Sequence, residues 1–336
     1  MPHDDGPDPA AHLQPAGAED ARVTVVVASR NRRAELLASL ARHRAPVVYV
    51  DNHSTDGSVA AVRGHLPHVR VIALPRNLGA YARTIGVSHV TTPFVAFADD
   101  DSWWAPGALA TAATVLAEHP RLALVAARIL VGPDERLDPV CREMAASPLP
   151  SAAGVPGAPL LGFVACAAMV RTEAFRAAGG FDAVVRFPGE EERLALDLAA
   201  RGWAMTYLGD VVVHHHPSPI RHGPAARQRG VARSSLLTAV MRLTWRHVAG
   251  RAWHAVRAGG PRRAGVVAAG PDLPAALRAR QRLPAAVLAQ LALLEGRAPS
   301  RARAPLLTAP TGAPAHRADP HTKVRTDPRM SPEPTR

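Results

Sequence analysis

The chain has 336 residues, 47% of them apolar, and a formal net charge of +12. That length allows one large domain or two small ones around a sizeable core, and no window approaches the ~18 uninterrupted apolar residues of a membrane span. Two cysteines, Cys141 and Cys166, are too few for a disulfide framework or a zinc site, so a reducing, cytoplasmic compartment is expected.

The charge is lopsided. From Pro217 to Arg336 there are 21 Lys+Arg against 5 Asp+Glu, whereas residues 1–216 hold 19 against 23. The C-terminal third therefore suits an anionic membrane surface or an acidic partner, unless its arginines only follow a GC-rich coding genome. It carries no recognisable nucleic-acid motif, and no nucleic acid is expected as partner.

Residues 1–21 and 297–336 together contain 12 of the 32 prolines and few large apolar residues, so both are expected to be disordered tails. The first tail has no apolar stretch of the kind found in a signal peptide. Val23–Ala28 is a β-branched run suited to a strand covered on both faces. Ser29-Arg30-Asn31 turns it into a helix with apolar positions at Ala34, Leu37, Leu40 and Ala41. A second strand, Val47–Val50, ends in Asp51-Asn52-His53-Ser54-Thr55-Asp56-Gly57-Ser58, where Asp56 or Ser58 can cap the next helix. A third, Val69–Leu74, leads through Arg76-Asn77-Leu78-Gly79 into a helix containing Ala82, Ile85 and Val87. Such alternation predicts a doubly wound, mostly parallel sheet.

The fourth strand, Phe94–Ala98, runs into three consecutive carboxylates, Asp99, Asp100 and Asp101. Three adjacent anions repel one another and gain nothing in a core. They suit a strand's C-terminal end opening into a crevice. In an extended chain Asp99 and Asp101 project to one side, as two oxygen ligands for Mg²⁺ or Mn²⁺ shared with a substrate phosphate. The alternative is a solvated acidic turn capping the helix after Pro106. Ser29 and Asn31, Asp51 and Asn52, and these aspartates all end strands, and such ends lie together at one sheet edge.

A helix over 107–118 and a strand over Leu122–Val131 follow. Residues 132–158, rich in Pro and Gly, predict a mobile loop over the site. Leu160–Val170 reads as a buried strand, then come a helix through Phe175 and a turn at Gly179–Asp182. Glu190, Glu191 and Glu192 open a helix through Leu194 and Leu198, and the helix dipole alone could account for them. Met205–Val213 is a strand ending in His214-His215-His216, a metal-ligand candidate or a set of strand-end hydrogen bonds. Trp103-Trp104 suits packing more than sugar stacking. From 225 to 296 the pattern is helical, with arginines interleaving Trp245 and Trp253 as in a helix lying in a membrane interface.

In order and spacing, Val25–Arg32, Val50–Ser58, Arg76–Gly79, Phe97–Asp101, Gly179–Asp182 and Glu190-Glu191, with Gly202-Trp203 eleven residues on, resemble glycosyltransferase family 2, inverting enzymes of GT-A fold. The resemblance covers roughly residues 22–217 and leaves the helical extension outside it. It implies a GT-A domain over 22–224, a basic helical extension over 225–296, and a nucleotide-diphosphate sugar donor. Ala28, Ser29, Asn31 and Asp51 would hold the nucleobase and ribose, with Asp51 accepting from the base. Arg83 would face the diphosphate. Asp99 and Asp100 would also contact the donor, and Asp101, with Asp99, would bind Mn²⁺ or Mg²⁺, joined by His215 or His214. Glu190-Glu191 stand where the family usually has Glu-Asp, which makes Glu191 the catalytic base. Thr84 departs from the Asn common after the Arg.

The chemistry is coherent on physical grounds. A leaving diphosphate needs a cation, and an acceptor hydroxyl needs a carboxylate to take its proton. The expected function is an inverting, metal-dependent glycosyltransferase acting on a cell-envelope glycan or lipid-linked acceptor, peripheral at the inner face of the plasma membrane. The alternative is a catalytically inactive GT-A module that binds a nucleotide sugar or scaffolds partners. A nucleotidyltransferase would need a Gly-rich loop after the first strand, where Ala28-Ser29-Arg30-Asn31 stands.

Overall fold

A computed structural model describes residues 18–218 and 223–296. Most of the expected N-terminal tail and all of the expected C-terminal tail lie outside the described residues. The chain begins β1 (Val23–Ser29), α1 (Arg33–Leu40), β2 (Val47–Asp51), α2 (Ser58–His65), β3 (Arg70–Ala73), α3 (Tyr81–Ser88), β4 (Phe94–Ala98). It continues through β5 (Ser102–Trp104), α4 (Ala108–Glu118), β6 (Leu122–Val131), β7 (Arg136–Leu137), α5 (Pro139–Ala145) and β8 (Ala158–Pro159). Next come β9 (Ala168–Arg171), α6 (Thr172–Ala177), α7 (Glu191–Ala200) and β10 (Ala204–His215). Five helices follow: α8 (Pro224–Arg242), α9 (Trp245–Arg257), α10 (Gly260–Ala269), α11 (Leu273–Arg278) and α12 (Ala285–Leu294).

The strands join in the order β3-β2-β1-β4-β9-β6-β10-β5, with β7 on β6 and β8 on β10. β3, β2, β1 and β4 run parallel, as do β6 and β10, while β9 and β5 run against their neighbours. Ser29 lies level with Asp51, and Val27 with Ala98, so the polar residues that end β1, β2 and β4 meet at one edge. Valines fill β1 because both faces are covered, and Val23, Val25, Val26 and Val27 are fully buried. Gly86 lets α3 lie directly on them: a Cβ there would stand 2.6 Å from Val26 Cγ1 and 3.0 Å from Val50 Cγ2.

Four local expectations are revised. Asp99–Asp101 do not extend β4 but turn, with Ser102 N bonded to Asp99 O at 3.3 Å and Asp99 N to Ser102 Oγ at 2.8 Å. Residues 132–158 are no featureless loop. They hold β7, β8 and α5, whose N-terminus is capped by Asp138 and whose Cys141 is buried against Ile129. Of Leu160–Val170 only the end is strand, because a 3₁₀ turn over Ala165–Ala167 breaks the run before β9. On α1 the buried leucines are Leu36 and Leu40, with Leu37 only packed at the margin.

The last five helices are joined to the main body. Leu243, Leu283, Val287 and Leu291 belong to the main core, and Leu236, Leu237, Val240 and Met241 form a second one with Val185. Buried Asp197 on α7 accepts from Arg193 and from Arg242 of α8, across the seam between the two regions. No described helix is long and apolar enough to cross a membrane.

Candidate active site

The strand-end loops interlock before any ligand is considered. Asn31 and His53 both adopt positive φ, 55° and 66°. Asn31 N donates to Ser54 Oγ at 3.0 Å, and its Oδ1 accepts from Thr55 N at 2.8 Å. Asp56 accepts from Arg33 N and from Ser58 N, both at 3.0 Å, so one carboxylate serves the first turns of α1 and α2. Asp51 is 2% exposed, and its two oxygens take Tyr49 Oη at 2.7 Å and Ser54 N at 2.9 Å. It braces the loop from beneath. Its neighbour Asn52 lines the opening with Ser29 and Asn31.

The three aspartates, which share one turn, take three different partners. Asp99 Oδ1 meets Arg83 Nη2 at 2.5 Å. Asp100 Oδ2 accepts from Ser29 Oγ at 2.6 Å. Asp101 Oδ1 lies 3.3 Å from His215 Nε2, and its Oδ2 accepts from Ser218 N at 3.1 Å. Side chains alternate along β10, so the neighbour of His215 points elsewhere. His214 Nδ1 is 3.1 Å from Glu135 Oε1, and its ring stacks on Trp103 at 5.4 Å. Trp103 also lies under Arg42, while Trp104 is buried with its Nε1 on Phe97 O at 3.1 Å.

Arg83 reaches the same edge from α3, above Phe181, which packs with Phe97 and Phe175. Its Nη1 bonds Glu190 Oε1 at 3.2 Å. Glu190 is 1% exposed and faces inward, while Glu191 begins α7 and lines a cleft of about 590 Å³ with Asp99, Asp100, Asp101 and His215. An adjoining hollow of about 440 Å³ shares Ala28, Arg83 and Asp100 with that cleft.

Carboxylates crowd the floor of the cleft, with Arg83 held among them. Burial works against the Arg83 charge, but Asp99 and Glu190 outweigh it and hold the guanidinium ionised. Burial pushes the Asp100 carboxyl up to about 7, with Asp99 and Asp101 adding to the effect. Burial and then Glu191 push Glu190 to about 8 against the pull of Arg83. Glu191 is raised by burial too, opposed by its own backbone N–H, Arg83 and the Ala165 N–H. Such a floor favours a bound cation.

Among the described residues no group of three or more His, Cys, Asp or Glu side chains is arranged to hold a metal ion. Asp101 and His215 nonetheless suit one. Two adjacent ligands at about 2.1 Å from an octahedral ion stand about 3 Å apart, close to the 3.3 Å separation seen. Substrate oxygens and water would have to complete such a shell.

Residues 24–179 match the family model described as Glycosyl transferase family 2. The match takes in just under half of the chain, and the likeness to the family is that of this segment. The fold is a mixed α/β sheet with a helical C-terminal region. The crystal structure of S. aureus TarS is 21% identical at a TM-score of 0.49, over 65% of this chain and 39% of that one. PcManGT from Pyrobaculum calidifontis, a mannosyltransferase in complex with GDP-Man and Mn²⁺, is 23% identical at a TM-score of 0.46, over 81% and 80%. S. aureus TarS 1-349 in complex with UDP-GlcNAc is 16% identical at 0.48, over 82% and 83%. The chain thus spans well under half of full TarS. No curated protein sequence matches it significantly.

The family match ends before Glu191 and His215, which line the cleft from outside the matched segment, and before Glu190, which lies buried on Arg83. Other residues in or behind the site were not singled out by the sequence. Ser218 holds Asp101 through its main chain and donates to Glu35 Oε1 at 2.6 Å. Cys166 lines the cleft, but burial raises its thiol well above the ordinary range and leaves it a poor nucleophile. Arg30, Arg32 and Arg227 border the cleft with Phe187. Thr84 turns from it and bonds Phe181 O at 2.9 Å.

Proposed function

We propose that this chain is an inverting glycosyltransferase that moves a sugar from a nucleotide-diphosphate donor to a hydroxyl acceptor, with Mn²⁺ or Mg²⁺. The observation that carries the reading is Glu191 at the head of α7, lining one cleft with Asp99, Asp100, Asp101 and His215. A base on one side and a cation-binding pair on the other are what a single displacement with inversion requires.

Ala28, Ser29, Asn31 and Asn52 form the hollow for the nucleoside, with Asp51 acting through the loop it braces. Asp99, paired with Arg83, would meet the ribose, and that pairing would keep Arg83 placed for the diphosphate. Ser29 orients Asp100 beside it. Asp101 and His215 would hold the metal ion, with Asp99 as a further ligand through substrate or water, while His214 supports Trp103 behind the strand. When bound, the ion neutralises the charge that develops on the leaving diphosphate. Glu191 takes the acceptor proton as the oxygen attacks. Glu190, buried on Arg83, keeps the donor side rigid and is not the base. The acceptor class favoured is a cell-envelope glycan or lipid-linked precursor met at the inner membrane surface, in keeping with the exposed Trp245 and Trp253 on basic α9.

Glu191→Gln is expected to lower transfer about 10²- to 10⁴-fold while donor affinity stays within error. Its carboxyl lies above the ordinary carboxylate range and works only when deprotonated, so kcat/KM should fall as pH drops through that raised pKa. Undiminished turnover in Glu191→Gln sinks the assignment. Metal-replete protein that binds a nucleotide sugar yet neither hydrolyses nor transfers it is an inactive binding module instead.

A further inference from the structure

Glu191 is reached from two sides. One is the cleft holding the aspartates. The other is a groove of about 330 Å³ framed by Leu161, Phe163 and Val231, which excludes the aspartates and Arg83. Through Val231 and Ser235 the groove continues into a hollow of about 380 Å³ between α8, α9 and α10. Arg227, Arg251, His254 and Arg262 line that hollow, and no carboxylate does. Arg251 is neutralised by Glu192 at 2.5 and 3.0 Å and also donates to Ser235 O and Oγ. Neither Arg227 nor Arg262 has an ion-pair partner among the described residues.

A displacement with inversion brings the acceptor oxygen to the anomeric carbon opposite the leaving diphosphate. The base stands on the acceptor's side, so the groove beyond Glu191 is the acceptor's way in. Its apolar frame suits the face of a sugar ring. Two unpaired guanidiniums at its far end suit an anion, because arginine matches phosphoryl oxygens in forked geometry. We infer that groove and hollow form the acceptor subsite, and that the acceptor carries a phosphoryl group held by Arg262, His254 and Arg227 beyond its reacting hydroxyl. The inference rests on Glu191 being the base.

The test uses the whole chain with its donor cleft saturated by UDP or GDP and Mn²⁺, titrated calorimetrically with inorganic phosphate. The unaltered protein should bind phosphate saturably. Arg262→Glu with His254→Glu should weaken it at least about tenfold with nucleotide affinity retained, and Arg262→Lys, which keeps the charge but loses the fork, should fall between the two. Unchanged phosphate affinity in the double variant, with nucleotide still bound, overturns the acceptor proposal alone. Failure of the unaltered chain to bind either nucleotide overturns the donor reading and this one with it. Competition by glycerol phosphate identifies a soluble phosphate ester, and competition by phosphatidylglycerol vesicles a lipid headgroup. Competition by neither overturns the proposal.

Discussion

Asp99, Asp100 and Asp101 are chemically alike and adjacent, yet one holds an arginine, one a serine and one a histidine. Direction sets them apart, and a turn replaces the alternation that an extended chain would impose. His43 makes the same point about surroundings. It lies just past α1, 8% exposed, with neither ring nitrogen hydrogen-bonded, and burial lowers its pKa from 6.5 to about 4. Between those values the unfolded chain binds a proton that the folded chain refuses. The associated stability is whole above pH 6.5 and is lost as pH falls toward 4, by up to about 3 kcal/mol. Guanidinium unfolding at pH 7 and pH 4 should therefore show a smaller acid loss for His43→Leu than for the unaltered chain. An identical loss in both proteins would reject the role.

Elements meet here through a few close contacts. Asp197 on α7 is enclosed by Arg193 of its own helix and Arg242 of α8, all three under 10% exposed. Burial lowers the Arg193 pKa, and Asp197 is the first charge that opposes this. Asp197→Leu strands two buried cations and should cost about 3–5 kcal/mol in urea unfolding. A cost below about 1 kcal/mol would mean that water already reaches the cluster. Gly86 is the corresponding contact between α3 and the sheet. Gly86→Val should cost about 1–3 kcal/mol through overpacking and, by lifting α3 and Arg83, raise the KM for donor. A stability loss with unchanged KM would separate α3 packing from donor binding.

At the scale of the whole molecule, charge and apolar surface coincide. α9 buries no residue, exposes Trp245 (57%) and Trp253 (62%), and carries Arg246, Arg251 and Arg257. Co-sedimentation with phosphatidylglycerol vesicles should therefore be measurable and weaken as salt rises. Trp245→Glu with Trp253→Glu should abolish it, and sedimentation unaffected by that pair would reject α9 as the contact. Much of the architecture was legible from residues alone. Val23–Val27, Val47–Val50 and Phe94–Ala98 are apolar runs that bury themselves whatever their neighbours, and the polar residues that stop them mark one edge of the sheet. The same holds for β6, found at the expected Leu122–Val131. What only the tertiary structure decided are the choices of one residue. His215 rather than His214 meets Asp101, and Glu191 rather than Glu190 lines the cleft. Asn52 lines the hollow beside the cleft while Asp51 is buried, and Ser218 arrives from beyond the last strand. Composition and spacing carry no information about which way a pleat or a first helical turn faces. Packing against β5, α3 and α8 does, because each such rotation decides which carboxylate is buried and which is left facing the cleft.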